Sequence, residues 1–222
     1  MQSSVPVDSF RYKQFCSLAR ATEILGHRWV LLILRELFIG PQRFSDLRRR
    51  LPGLSSSVLA DRLTGLEEQG VVGRRDLAPP AAATVYELTQ DGQALRPALL
   101  ALARWGARFL GASEPGDHVE PDWLGLAIDA FARTDPTPAR RFELRPCCDD
   151  RMAVLRVAGG PTGTRSIRDD LPVDASIQAP MAVMLGLMSG EITLATLRAA
   201  EDVEIEGNVD ALSDLPKLFE MN

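Results

Sequence analysis

Glycine and proline cut residues 26–75 into segments whose lengths and order few folds accept. Gly26 closes an apolar-periodic helix over 16–25. A second helix over 29–38 is apolar nearly all round (Trp29, Val30, Leu31, Leu32, Ile33, Leu34, Leu37, Phe38), which assigns it to the buried centre of a domain. Gly40-Pro41 ends it. Residues 44–51 form a short helix, and Pro52-Gly53 makes a tight turn. Ser55 is placed to cap a helix reaching about residue 69, with Leu59, Leu63 and Leu66 at i, i+4 and i+7 on one face. Gly70 stops that helix. Residues 71–75 and 84–88 read as two strands, joined by a loop with Pro79-Pro80 at its tip. Thr89 opens a long helix to about residue 109, with Leu95, Leu99, Leu102 and Trp105 on a helical stripe. Residues 1–15 read as a short arm that allows a first helical turn.

Helix, helix, tight turn, helix, basic hairpin is the layout of a winged helix-turn-helix, a module that lays one helix in the major groove of DNA. The residue types suit that task. Ser55, Ser56 and Ser57 put hydroxyls at the start of the 55–69 helix, where they can meet phosphates or base edges, and Arg62 follows one to two turns later, within reach of a guanine edge. Serines here could simply cap the helix and Arg62 could be a solvated charge. Arg43, Arg48, Arg49 and Arg50 before the helix, and Arg74-Arg75 after it, tip the reading toward DNA, because phosphates need flanking cations.

The net charge of −5 argues against a polyanionic partner until it is divided. Residues 1–112 hold 15 Lys+Arg against 10 Asp+Glu, a net +5; residues 113–222 hold 10 against 20, a net −10. One half is suited to nucleic acid and the other is not, although two ordinary domains with different surfaces would also give such a split. Lys13 and Lys217 are the only lysines, so the cations are arginines, as bidentate phosphate and guanine contacts favour. With no charged-then-apolar leader and no apolar run of about 18 residues, and with three cysteines rather than a disulfide framework, a cytoplasmic, reduced protein without membrane contact is expected.

Residues 16–110 resemble the HxlR-type family of winged helix-turn-helix transcription regulators, relatives of the MarR type. The resemblance is carried by Cys16, Gly26-His27-Arg28-Trp29, Leu34-Arg35-Glu36-Leu37, Gly40-Pro41, Arg43-Phe44-Ser45-Asp46-Leu47 and Leu51-Pro52-Gly53-Leu54-Ser55. It continues through Leu59, Arg62-Leu63, Leu66-Glu67, Gly70, Arg74, Pro79-Pro80, Tyr86-Glu87-Leu88-Thr89, Gly92 and Trp105. It implies a homodimer built from the first and last helices, a recognition helix at 55–69 and a wing at 71–88. Ser57 stands where the family usually has lysine and Asp61 where glutamine is common, so base contacts do not carry over at those two positions. The Ala81-Ala82-Ala83 tract makes the wing tip bland. Cys16 matches a cysteine that some members use to sense electrophiles or oxidants, with Arg11, Lys13 and Arg20 near in sequence; the expectation preferred from the residues is a buried small apolar side chain at the helix start.

Residues 111–122, rich in Pro, Gly and charge, mark a linker where the charge changes sign. Beyond it, a helix (123–133), strands (141–144, 152–157, 164–167, 173–179), helices (181–189, 194–199), a strand (203–206) and a last helix (209–219) indicate an α+β domain with a small mixed sheet. Cys-Cys-Asp-Asp (147–150) reads as a hairpin signal joining the strands; its vicinal cysteines offer redox chemistry, against which neighbouring cysteines bridge only through a strained ring. Gly159–Gly163 lacks a following Gly-Lys-Ser/Thr and reads as a turn, as do Asp149-Asp150 and Asp169-Asp170. His27 and His118 have no partner at metal spacing, and no nucleophile–base set stands out, so no cofactor, metal or enzymatic activity is expected. Met181, Met184 and Met188 fall at i, i+3 and i+7 beside Leu185, which fits ordinary core or an adaptable apolar lining. Residues 140–222 resemble the sterol-carrier-protein type 2 fold through Asp174-Ala175-Ser176-Ile177, Leu187-Met188-Ser189-Gly190-Glu191-Ile192 and Val203-Glu204-Ile205-Glu206-Gly207-Asn208. That resemblance implies an apolar cavity lined or closed by Phe142, Met181, Met184, Leu185, Met188 and Phe219.

The expected architecture is therefore two domains: a mainly α winged helix-turn-helix for DNA binding and dimerisation (1–112), a linker (113–122) and an α+β ligand-binding domain (123–222). The expected activity is operator binding to double-stranded DNA as a homodimer, modulated by a hydrophobic small molecule. The rivals are a redox regulator switched through Cys16 and a small-molecule carrier whose winged helix contacts proteins only.

Overall fold

A computed structural model describes residues 11–80, 82–111, 114 and 116–221. Most of the N-terminal arm (1–10), Ala81 of the wing-tip tract and Ala112, Ser113 and Pro115 of the linker lie outside the described residues. The chain divides into two compact units, with the division between Leu99 and Leu100.

In the first unit, α1 (Ser17–Leu25) is followed by α2 (Val30–Ile39), β1 (Gln42–Arg43), α3 (Phe44–Arg50) and α4 (Ser56–Glu68). Then come β2 (Val72–Asp76), β3 (Thr84–Leu88) and α5 (Gln90–Gln93). The strands form one sheet in the order β1-β3-β2, all antiparallel, with Val72 opposite Leu88 and Asp76 opposite Thr84. Val30, Ile33, Leu34 and Leu37 of α2 are buried with Leu47, Leu51, Leu59, Leu63 and Leu66, so α2 is the central element its composition predicts. Segment 11–16 carries no helical turn, with Lys13 left-handed (φ 53°) and Cys16 extended, and α1 buries no residue fully.

The long helix expected from Thr89 is two pieces. After α5 the chain turns through Ala94-Leu95 and starts again as α6 (Arg96–Ala107). Pro97 has no N–H to give the Gln93 carbonyl, and its ring disfavours helical geometry in the residue before it. Gly92 is the tightest point here: a Cβ on it would lie 2.1 Å from the Val71 carbonyl oxygen, so only glycine lets α5 sit against the start of the wing.

The second unit takes up α6 from Leu100, a 3-10 turn (Pro121–Trp123) and α7 (Leu124–Phe131). Its strands are β4 (Arg141–Cys148), β5 (Arg151–Met152), β6 (Leu155–Ala158), β7 (Arg165–Ile167) and β8 (Ala175–Pro180). After α8 (Met181–Ser189), α9 (Leu194–Arg198) and β9 (Glu204–Gly207), a 3-10 helix (Val209–Leu218) closes the chain. The sheet order is β7-β6-β4-β8-β9, with β5 paired to β4; β4 and β8 are parallel and the remaining pairs antiparallel. This is the mixed sheet with helices that the second half predicts. The closing helix is 3-10 where an α-helix is expected; Pro216 inside it cannot donate an i→i−4 hydrogen bond.

Alternation along β4 puts Phe142 and Leu144 into the core and Arg141, Glu143 and Arg145 on the other face. The core joins Leu124, Ile128 and Phe131 of α7 to Ile177, Met184, Leu187, Leu212 and Leu215, and Leu100, Ala103 and Ala107 of α6 pack against it. Arg104 of α6 donates to the Ala130 carbonyl. Glu143 is buried on the polar face and accepts from Arg145 (2.8 Å) and Arg156 (2.7 Å). Burial raises its pKa, and the two guanidinium bonds outweigh that, holding the carboxyl below its usual range.

Candidate nucleic-acid interface

The turn before α4 is built around one aromatic ring. Trp29, at the start of α2, has a left-handed backbone (φ 81°), and the far edge of its indole lies 3.7 Å from where a Gly53 Cβ would stand. Gly53 itself is left-handed (φ +84°), as the Pro52-Gly53 turn requires. Arg28 lies over the Trp29 ring, 5.3 Å from its centroid. Ring and glycine together fix where the chain reverses between α3 and α4.

Ser55 then caps α4: its Oγ accepts from the Val58 N–H (3.3 Å) and lies 3.2 Å from Ser57 Oγ. Ser55, Ser56 and Ser57 are all exposed, so the start of α4 stays open to solvent although Ser55 caps the helix and shares a hydrogen bond with Ser57. The helix start also carries the positive end of the helix dipole, which favours an anion there.

The three consecutive arginines of α3 have three different environments. Arg48 is exposed and has no hydrogen-bond or ion-pair partner among the described residues. Arg49 is exposed and paired to Asp46 at 3.3 Å, an interaction weak enough to exchange for phosphate. Arg50 is buried and its Nε donates to Glu36, whose side chain is 0% exposed; Arg35 holds the other Glu36 oxygen at 2.7 Å. Arg50 is therefore a strut between α2 and α3 and not one of the flanking cations expected from its place in the run. Arg43, at the start of α3, is exposed.

On the wing, Arg74 bridges Glu67 of α4 (2.6 Å) and the face of Tyr86 (5.1 Å), while Arg75 pairs with Glu87 of β3 (2.9 Å). Those carboxylates raise both guanidinium pKa values further. Both wing cations are thus already engaged by carboxylates, Arg74 by Glu67 and Arg75 by Glu87. Arg62 is half-buried, and its Nε is shut off from solvent without a partner.

Cys16 is exposed, as the residue preceding α1, against the expectation of a buried apolar side chain. The reason is local: α1 buries no residue fully, and residues 11–16 before it belong to no helix or strand. Cys147 and Cys148 are both free. Both cysteines lie in β4, which runs on past the expected end at 144, so the hairpin turn is shorter than Cys-Cys-Asp-Asp and holds only Asp149-Asp150, with Cys148 opposite Arg151. Successive side chains of β4 point to opposite faces, which keeps the two thiols apart. Burial pushes the Cys147 thiol up. The six apolar residues singled out in the second half, Phe142, Met181, Met184, Leu185, Met188 and Phe219, all belong to the hydrophobic core of the second unit or pack against it. Among the described residues, no cluster of side chains could hold a metal ion and no helix is long and apolar enough to cross a membrane.

A buried central helix, a capped helix after a tight turn, and a three-stranded sheet ending in a basic hairpin define a winged helix-turn-helix of the kind found in transcription regulators. Comparison with known proteins agrees. The HxlR-like helix-turn-helix family matches residues 24–114. The uncharacterized HTH-type transcriptional regulator YvaP of Bacillus subtilis is 42% identical over 95 residues, which cover 42% of this chain and 87% of YvaP. YodB, an HTH-type transcriptional regulator of the same organism, is 36% identical over 99 residues, covering 45% of this chain and 86% of YodB. Among solved structures, the redox regulator HypR in its oxidized form is 26% identical, covers 44% of this chain and 100% of its own, and has a TM-score of 0.41. The chain belongs to the HxlR-like helix-turn-helix family.

Proposed function

We propose that this regulator binds operator DNA as a homodimer, with α4 in the major groove and the β2–β3 hairpin as its wing. The observation that carries this reading is the exposed start of α4, with its three exposed serines, together with the exposed Arg48 of the preceding helix, which has no partner among the described residues. Arg43, Arg48 and Arg49 serve phosphates, Ser55, Ser56 and Ser57 the helix start, Arg62 the groove flank, and Arg74 and Arg75 the wing. The proposed DNA-binding and dimerisation unit is 1–112. Dimerisation through the first and last helices is supported by apolar side chains left bare on each: Phe15 and Leu18 at α1, and Leu102, Trp105, Phe109 and Leu110 at α6. A dimer would read two half-sites about 34 Å apart, one turn of DNA.

The second domain, 123–222, resembles the sterol-carrier-protein type 2 fold and would take an apolar small molecule through Phe142, Met181, Met184, Leu185, Met188 and Phe219. Coupling between ligand and DNA of this kind is typically about 1–3 kcal/mol. A second reading, thiol-based switching, is favoured by the exposure of Cys16.

Anisotropy titrations of a selected duplex at several salt concentrations test the main claim. With three arginines per protomer on phosphates, affinity should fall about 1000-fold between 50 and 200 mM salt. A flat salt dependence refutes it. If Cys16→Ser still releases DNA with oxidant as the parent does, the thiol reading fails.

A further inference from the structure

The face of α4 opposite Leu59, Leu63 and Leu66 is formed by Ser57, Asp61, Thr64 and Glu68, spaced i, i+4, i+7 and i+11. Asp61 is at the middle of that face. It is exposed and has no hydrogen-bond or ion-pair partner among the described residues. Arg62, its sequence neighbour and the obvious cation to neutralise it, points about 100° further round the helix, where its Nε is buried. The outermost residue of the reading helix in its second turn is thus a bare carboxylate, in a helix whose start invites anions.

Such a carboxylate is repelled by phosphates and by most base edges. In the major groove guanine offers two acceptors, thymine an acceptor and a methyl group, and adenine an acceptor beside its amino donor. Cytosine alone presents an amino donor with no acceptor next to it. Resting on the proposed DNA-binding role of α4, we propose that Asp61 is a specificity-determining residue that accepts a hydrogen bond from the N4 amino group of one cytosine in each half-site. The same charge acts against every other sequence, so discrimination comes as much from repulsion as from the bond.

The test is selection from random duplexes by the full-length parent, Asp61→Ala and Asp61→Asn, followed by affinity measurements on the selected sites and on random DNA. The parent should select cytosine at one symmetry-related position and lose about 10- to 100-fold in affinity when it is replaced. Asp61→Ala should lose the preference at that position alone and bind random DNA more tightly. Asp61→Asn should move the preference there to adenine, whose N6 and N7 suit an amide. A merely structural role for Asp61 would shift no single-base preference. If both variants select the same base as the parent at every position, this inference is overturned and the DNA-binding reading survives. If none of the three enriches any sequence, the DNA-binding reading falls, and this inference with it.

Discussion

Replacing Arg50 and replacing Arg48 should give opposite results, although the two residues are two apart in one basic run. Arg50→Met removes a cation from a fully enclosed carboxylate. Removing one partner of a buried ion pair costs about 3–5 kcal/mol. Arg35 remains 2.7 Å from the other Glu36 oxygen, so the lower end applies, about 3 kcal/mol. For a unit of this size each kcal/mol lowers the melting midpoint by about 4–8 °C, which gives a drop of about 12–24 °C. Hydrogen exchange read on α2 and α4 peptides isolates the first unit, because the full chain, with two units, need not melt in one step. Removing both charges, as Glu36→Leu with Arg50→Met, should cost less than the two single changes together. Arg48→Met, at an exposed site without a partner among the described residues, should leave stability within about 0.5 kcal/mol and reduce the salt slope of DNA binding by about 2, one phosphate contact being lost from each protomer of the dimer. The reasoning is refuted if Arg50→Met protects α2 and α4 as the parent does while weakening DNA binding as Arg48→Met does; Arg50 would then be a solvated phosphate contact.

Three further outcomes are expected. Glu143 has a depressed folded-state pKa, so its stabilising effect is present above the unfolded carboxylate value and is lost as pH falls through the folded one; urea melts should show the second unit weakening with acid below about pH 4.3, and Glu143→Gln should flatten that slope. Gly92→Ala should destabilise the join between α5 and the wing by about 1–3 kcal/mol, read as faster exchange in β2 and β3; unchanged exchange would contradict the 2.1 Å approach to Val71. Iodoacetamide at neutral pH should label Cys16 before the half-buried Cys147, whose thiol is pushed up by burial; peptide mass mapping in which Cys147 reacts first would reverse that order.

Much of the first unit is legible in the sequence because its elements are set by local signals. The helix stop at Gly26, the Pro52-Gly53 turn and the Ser55 cap act within a few residues, and the boundaries found for α2, α3 and α4 fall within one residue of those expected. The Cys147–Met152 hairpin is legible for the same reason. The environments of the arginines are not local. Arg50 lies on the same face of α3 as Leu47, and Glu36 interrupts an otherwise apolar helix; those two misplaced charges were the available signal for a buried pair, and the plain count of cations hides it. The pairing of Arg74 with Glu67 and of Arg75 with Glu87 depends on how the wing returns beside α4 and on strand register, neither of which spacing along the chain reveals. Pro97 was a visible breaker inside the stripe of Leu95, Leu99 and Leu102, and the regular apolar spacing masked it.

The division of the chain inside α6 bears on how the protein is made. Residues up to 99 form one compact unit, and domains of this kind fold as units during synthesis, N-terminal first. The next residues of the same helix, Leu100, Ala103 and Ala107, have their apolar partners in strands and helices that extend to Phe219. At synthesis rates of about 5–20 residues per second, those side chains wait several seconds beside the already bare Leu102 and Trp105. A polypeptide cut near residue 112 would keep them waiting permanently, so truncation there should yield a protein that self-associates through both sides of its last helix, an artefact easily mistaken for native dimerisation.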